Sequence, residues 1–194
     1  MSPAARPRRG VLPDSSAPFV ETLGAVPRAA RWLLPVAAIL RRGTGSSTLE
    51  RRLRALVTLR MAALDGAGYW LTEQLTIAPD VGILAAEVDA VVGGSWPELD
   101  SLSERERVAL RWTDGMAVNE AKRDKAAFAD LEELFDSAEI IELTSLVGLC
   151  AFLDRFANAM QLPSGHTGLS DTPQVVSRDE LADWAGTMFE QGAR

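Results

Sequence analysis

The stretch "FDSAEIIELTSLVGLCAFLDRFANAMQLP" (residues 135–163) decides the fold. Asp136 stands three residues before Glu139. At that spacing the first side chain accepts from an orphan N–H of a helix start and the glutamate reaches back. Pro163-Ser-Gly provides the stop. The spacing predicts a helix over 137–161. Its early turns carry polar positions at Glu139, Glu142, Thr144 and Ser145, after which "LVGLCAFL" (146–153) is apolar on every face. A helix apolar all round is buried all round. One chain of this size does not readily supply that cover, so the stretch predicts a homo-oligomer.

Working outward, the same punctuation recurs. Ser47 precedes Glu50, Ser103 precedes Glu106 and Ser177 precedes Glu180, each at capping-box spacing. Gly43 and Gly45, Gly66, and the pair at 93–94 read as helix stops. The predicted helices are 18–25, 27–42, 48–65, 67–77, 79–92, 103–118, 124–134, 137–161 and 178–190. No alternating pattern predicts a strand, and no solenoid-type period is present. The fold class is all-α. The organisation is a flexible N-terminus (1–17), a helical domain (18–165), and a loop with a C-terminal helix (166–194).

The 194 residues carry a net charge of −7, which argues against broad nucleic-acid binding. A single cysteine, Cys150, excludes an internal disulfide framework, and a single histidine, His166, excludes a His-rich metal site within one chain. His166 lies in a Gly/Ser-rich loop and reads as solvated. The longest apolar run, "WLLPVAAIL" (32–40), is too short to span a bilayer. The basic start is not followed by an apolar run. The expectation is a cytoplasmic protein with no membrane partner.

Three stretches, "LERRLRALVTLRMAAL" (49–64), "LSERERVALRWTDGM" (102–116) and the opening 135–163 segment, resemble the carboxymuconolactone decarboxylase and alkylhydroperoxidase AhpD-like family, with a weaker likeness over 19–43. The resemblance implies an all-α, oligomeric AhpD-like domain. In the peroxidase branch it implies a C-x-x-C pair at a helix start, a histidine four residues on, and an upstream glutamate. On this sequence the cysteines fall on Ala67 and Trp70, the histidine on Gln74 (or on Glu73 in members with two histidines), and the glutamate on Ala55. Every redox position differs, which implies no thiol peroxidase activity. The decarboxylase branch also lacks the cysteine pair and works without a cofactor, by acid–base chemistry on a small organic acid, although its members generally keep a histidine near Gln74.

The segment "LDGAGYWLTEQL" (64–75) therefore holds the candidate site. In a helix, Trp70, Glu73 and Gln74 share one face. A carboxylate against an aromatic wall is held toward its neutral form and can act as an acid or base near neutral pH. Glu73 is the first catalytic candidate, with Tyr69 as a hydrogen-bond donor. Trp70, Gln74, Asp65 and Arg60 are the substrate-binding candidates, Arg60 as partner of Glu73, Asp65 or a substrate carboxylate. The competing reading makes Glu73 a solvated helix residue and Trp70 core filling, with Arg60 in a structural ion pair. Arg155 reads as partner of Asp154 or of a helix end. These residues imply no metal and no cofactor. They point to a decarboxylase, isomerase, lyase or cyclase acting on a small organic molecule. The alternatives are a non-catalytic binding or assembly subunit, and an oxidoreductase with a peroxidase-related activity.

Overall fold

The computed structural model describes residues 18–43 and 47–164. The expectations for 1–17, His166, the Ser177–Glu180 cap and a helix at 178–190 lie outside the described residues. Among the described residues there are eight α-helices: α1 (Pro18–Gly24), α2 (Pro27–Arg42), α3 (Arg51–Leu64), α4 (Gly68–Ile77), α5 (Ala85–Gly93), α6 (Glu104–Ala117), α7 (Lys125–Leu134) and α8 (Ser137–Ala159). Short 3-10 turns at Ala78–Val81 and Trp96–Glu98 complete them. None of the described helices is long and apolar enough to cross a membrane.

The local signals explain the starts of α8 and α6. Asp136 Oδ1 accepts from Glu139 N–H, and Glu139 Oε2 accepts from Asp136 N–H. Ser103 and Glu106 form the same box at α6. Ser47 does not cap α3, whose N-cap is Glu50 without a side-chain cap bond. The neighbouring Thr48 instead donates both its N–H and its hydroxyl to Glu142 on α8, 94 positions away. The span read as one helix over 79–92 is a 3-10 turn, a break at Gly82, and α5. There Glu87 supplies the missing signal by accepting from Leu84 N–H.

Within one chain, the helix buried on every side is α3. Every residue from Leu53 to Ala62 is buried. Leu53, Val57 and Met61 pack with Trp112, Leu131, Leu143 and Leu146. Ala55, Leu56 and Leu59 pack with Val91, Trp96 and Leu110. Ala62 joins Phe19, Tyr69, Trp70 and Leu153. Its two buried arginines had disguised it. Arg54 is satisfied by the Leu40 and Leu49 carbonyls and Glu142. By contrast α8 keeps an outward stripe of Ile141, Ser145, Gly148, Phe152 and Arg155, spaced along one helix face.

Candidate active site

The turn from α3 into α4 is set by two glycines with different tasks. Gly66 takes φ +60, a left-handed conformation. Gly68 opens α4, and a Cβ there would lie 2.5 Å from Ser164 Oγ. The first turn of α4 thus enters the core, with Ala67, Tyr69, Trp70, Glu73 and Gln74 all buried.

Their bonds run inward. Trp70 Nε1 donates to the Leu153 carbonyl at 2.9 Å. The Tyr69 hydroxyl accepts from Phe19 N–H at 3.3 Å. Trp70 meets Tyr69 and Phe19 edge-on, at centroid distances of 4.8 and 5.0 Å. Thr58 donates to Gln74 Oε1 at 2.7 Å, and its hydroxyl also lies 3.0 Å from the Ala55 carbonyl.

Glu73 is ion-paired. Arg41 Nη2, from α2, donates to Glu73 Oε2 at 2.8 Å, with both side chains almost wholly buried. The Arg41 guanidinium also lies over the Trp70 ring, 4.2 Å from its centroid. Its Nη1 points at Cys150 Sγ, 3.7 Å away. Burial pushes the Cys150 thiol up to about 12, against the opposing pull of Arg41. One turn further along α8 is Asp154, which among the described residues has no solvent exposure and no hydrogen bond to either carboxyl oxygen. Burial raises it to about 7; Arg41 opposes that rise, and Asp65 and Glu73 add to it.

Of the six residues singled out from sequence, the structure gathers Tyr69, Trp70, Glu73 and Gln74. Arg60 is elsewhere: it grips Asp114 through Nε (2.6 Å) and Nη2 (3.1 Å), and donates to the Val91 carbonyl. It pairs with neither Glu73 nor Asp65, because it leaves α3 on the side of α5 and α6. Asp65 ends α3; its carbonyl accepts from Asn158, and Arg155 approaches its carboxylate at 3.7 Å. Arg155 is thus a partner of Asp65, and no hydrogen bond joins it to Asp154.

Sequence reading missed Arg41 and the role of Asp154. A signal existed in both cases. Arg41 follows Ala37 and Ala38 along the buried face of α2. Asp154 follows Val147 and Cys150 along the buried face of α8. At helical spacing each charge belongs inside.

Among solved structures, the chain resembles ATU0492 of Agrobacterium tumefaciens, a protein of unknown function suggested to be the antioxidant defence protein AhpD. The TM-score is 0.66 at 22% identity, covering 75% of this chain and 96% of that one. It also resembles a cysteine-to-alanine variant of the debrominase Bmp8 in complex with 2,3,4-tribromopyrrole, with TM-score 0.66, 20% identity, and coverage of 86% and 81%. A peroxidase-related protein from Silicibacter sp. TM1040 follows, with TM-score 0.64, 16% identity, and coverage of 74% of each chain. In sequence, the chain is 33% identical over 132 residues to the uncharacterized protein YnjA of Escherichia coli K12, spanning 68% of this chain and 70% of YnjA. The chain thus shares the fold of these AhpD-like proteins and is a relative of YnjA. No family model matches it.

Ala67, where the sequence resemblance puts the first cysteine, is the buried N-cap of α4. Trp70 fills the position of the second. The Gln74 and Ala55 positions come together through the Thr58 hydroxyl, which lies within hydrogen-bond distance of both.

Proposed function

We propose that this protein is an acid–base enzyme of the lyase or isomerase type, working without a cofactor on a small organic molecule. The observation that carries the reading is the burial of three ionisable groups, Arg41, Glu73 and Asp154, in one cluster beneath α4. Acid–base sites are built by placing titratable groups in environments that push them apart. Here Glu73 is matched by a guanidinium, and Asp154, held up to about 7, carries a proton near neutral pH. Trp70 walls the site and Tyr69 backs it, while Gln74 holds its register through Thr58. Asp65 stands at the edge, and Arg60 serves the scaffold. Decarboxylation, isomerisation, ring opening or cyclisation needs one proton delivered and one removed, which such a set supplies. The binding of tribromopyrrole by a protein of this fold supports a small ring compound as the ligand class. A thiol route is disfavoured, since the attacking form is the thiolate and the Cys150 thiol is pushed far above neutrality.

Incubation in D2O with a panel of small unsaturated lactones, β-keto acids and cyclic ketones, followed by proton NMR, tests this. Turnover or carbon-bound deuterium is expected with one class. Glu73→Gln and Asp154→Asn should each slow it by roughly 100-fold or more. Unchanged rates in both variants would remove the cluster from the mechanism.

A second reading, a non-catalytic binding or assembly subunit, is favoured by the inward bonding of Tyr69, Trp70 and Gln74. A folded protein that binds a panel member without converting it would select this reading. Under either, the outward stripe on α8 supports assembly with further copies of the chain.

A further inference from the structure

Among the described residues, three polar atoms of the buried cluster have no hydrogen-bond partner: Arg41 Nε and both carboxyl oxygens of Asp154. Native interiors leave few such atoms, and each calls for a cause. Charge accounting supplies part of it. The charged and titratable groups facing Asp154 are Arg41 from α2, Asp65 from the end of α3, Glu73 from α4, and Cys150 and Arg155 from α8 itself. Arg41 is bound to Glu73, and Arg155 approaches Asp65. Each cation has its own acid, so Asp154 is left over. An unpaired carboxylate in a dry interior neutralises by taking a proton. As a carboxylic acid Asp154 gains an O–H donor. It then stands, unbonded, in the same cluster as the unbonded Nε–H of Arg41. Two buried donors without acceptors are complementary to one oxygen with two lone pairs.

We propose that neutral Asp154 and the Nε–H of Arg41 are paired donors that bind the oxygen of a small, uncharged carbonyl compound. The inference rests on the acid–base reading above and narrows it to isomerisation, ring opening or cyclisation of an uncharged carbonyl compound, since decarboxylation needs a carboxylate. Arg41, Glu73 and protonated Asp154 sum to zero charge, so an uncharged carbonyl enters at no electrostatic penalty. A carboxylate would bring an unbalanced charge into an apolar wall of Phe19, Trp70 and Leu153.

Acetophenone and benzoate, which share a ring and differ in charge, are the probes. Infrared difference spectra of the wild-type protein should show a protonated-carboxyl C=O band that disappears as pH rises through about 7. Acetophenone should shift that band and benzoate should not. Asp154→Leu, verified as folded by circular dichroism, should lack the band and bind acetophenone roughly tenfold more weakly, whereas Asp154→Asn, whose amide N–H still donates, should lack the band and keep the binding. Absence of the band in folded wild-type protein below neutral pH would overturn the inference, and so would a band indifferent to acetophenone. The two readings fail separately. A band that shifts with acetophenone, in a protein that turns nothing over, keeps the binding pair and removes the enzyme. Turnover with an indifferent band does the reverse.

Discussion

Asp154 connects a single side chain to the pH dependence of the whole molecule. An unfolded aspartate titrates near about 3.9. In the fold Asp154 is raised to about 7 by burial. Between those values the native state holds a proton that the unfolded state has released, so stability falls as pH rises. The stabilisation is full below about 4 and gone above about 7, an effect on the order of 4 kcal/mol. Thermal melts of wild type and Asp154→Asn across that window should therefore converge or cross as pH rises, with the variant the more stable above neutrality. Parallel curves would contradict a native proton on Asp154. The residue was visible in the sequence only as a charge after an apolar run. Its neighbour Arg155 seemed the obvious partner, yet consecutive residues on a helix point about a hundred degrees apart. The charge that most opposes the rise of Asp154 comes from Arg41, which sequence distance conceals.

At the scale of elements, α3 is anchored through Arg54. That side chain ties the end of α2 and the segment before α3 to Glu142 on α8. Burial pushes Glu142 up, but hydrogen bonds from Thr48 and the Arg54 pair outweigh it and hold the carboxyl below its ordinary value. Stability from this carboxylate is present above the unfolded value near 4.3 and is lost as pH falls through the lowered folded one. Glu142→Gln should cost about 1–3 kcal/mol at neutral pH. The deficit should shrink in acid; a deficit that persists there would mean packing, not charge, is at stake. Gly43 belongs to the same knot. Its φ is +77, and a Cβ would lie 3.1 Å from Arg54 Nη2 and 3.2 Å from Ser47 Oγ. Gly43→Ala should destabilise by about 1–2 kcal/mol in denaturant melts, and a neutral effect would show that Arg54 can yield. This knot explains what the sequence showed and hid. The caps at Asp136 and Ser103 are local, three residues across, and were legible. Ser47 failed as a cap because its segment is held by a contact from another helix. The burial of α3 was hidden by arginines whose partners lie on α2 and α8 (Arg54) and near α5 and α6 (Arg60).

At the scale of the molecule, the helical fold was legible because it depends on helix order and spacing, while the polar centre was not, because it joins α2, α4 and α8. Rings on α8, α1 and α4 relate the surface to that centre. Phe152, on the outward stripe of α8, stacks at a tilt on Phe156, 6.1 Å away. Phe156 meets Phe19 edge-on at 5.8 Å, and Phe19 meets Trp70, the ring beneath Arg41. Ile141 and Phe152 are 67% and 44% exposed, and leaving such residues in water forgoes burial worth about 25 cal/mol per Å². A second copy covering the stripe would bury them and stiffen the aromatic series as far as Trp70. Sedimentation equilibrium should give a mass above one chain, and Phe152→Glu should lower it. If assembly stiffens the series, that variant should also weaken acetophenone binding although Phe152 is three rings from Arg41. A one-chain mass for the wild type would end the argument. A lowered mass with unchanged binding would separate assembly from the site.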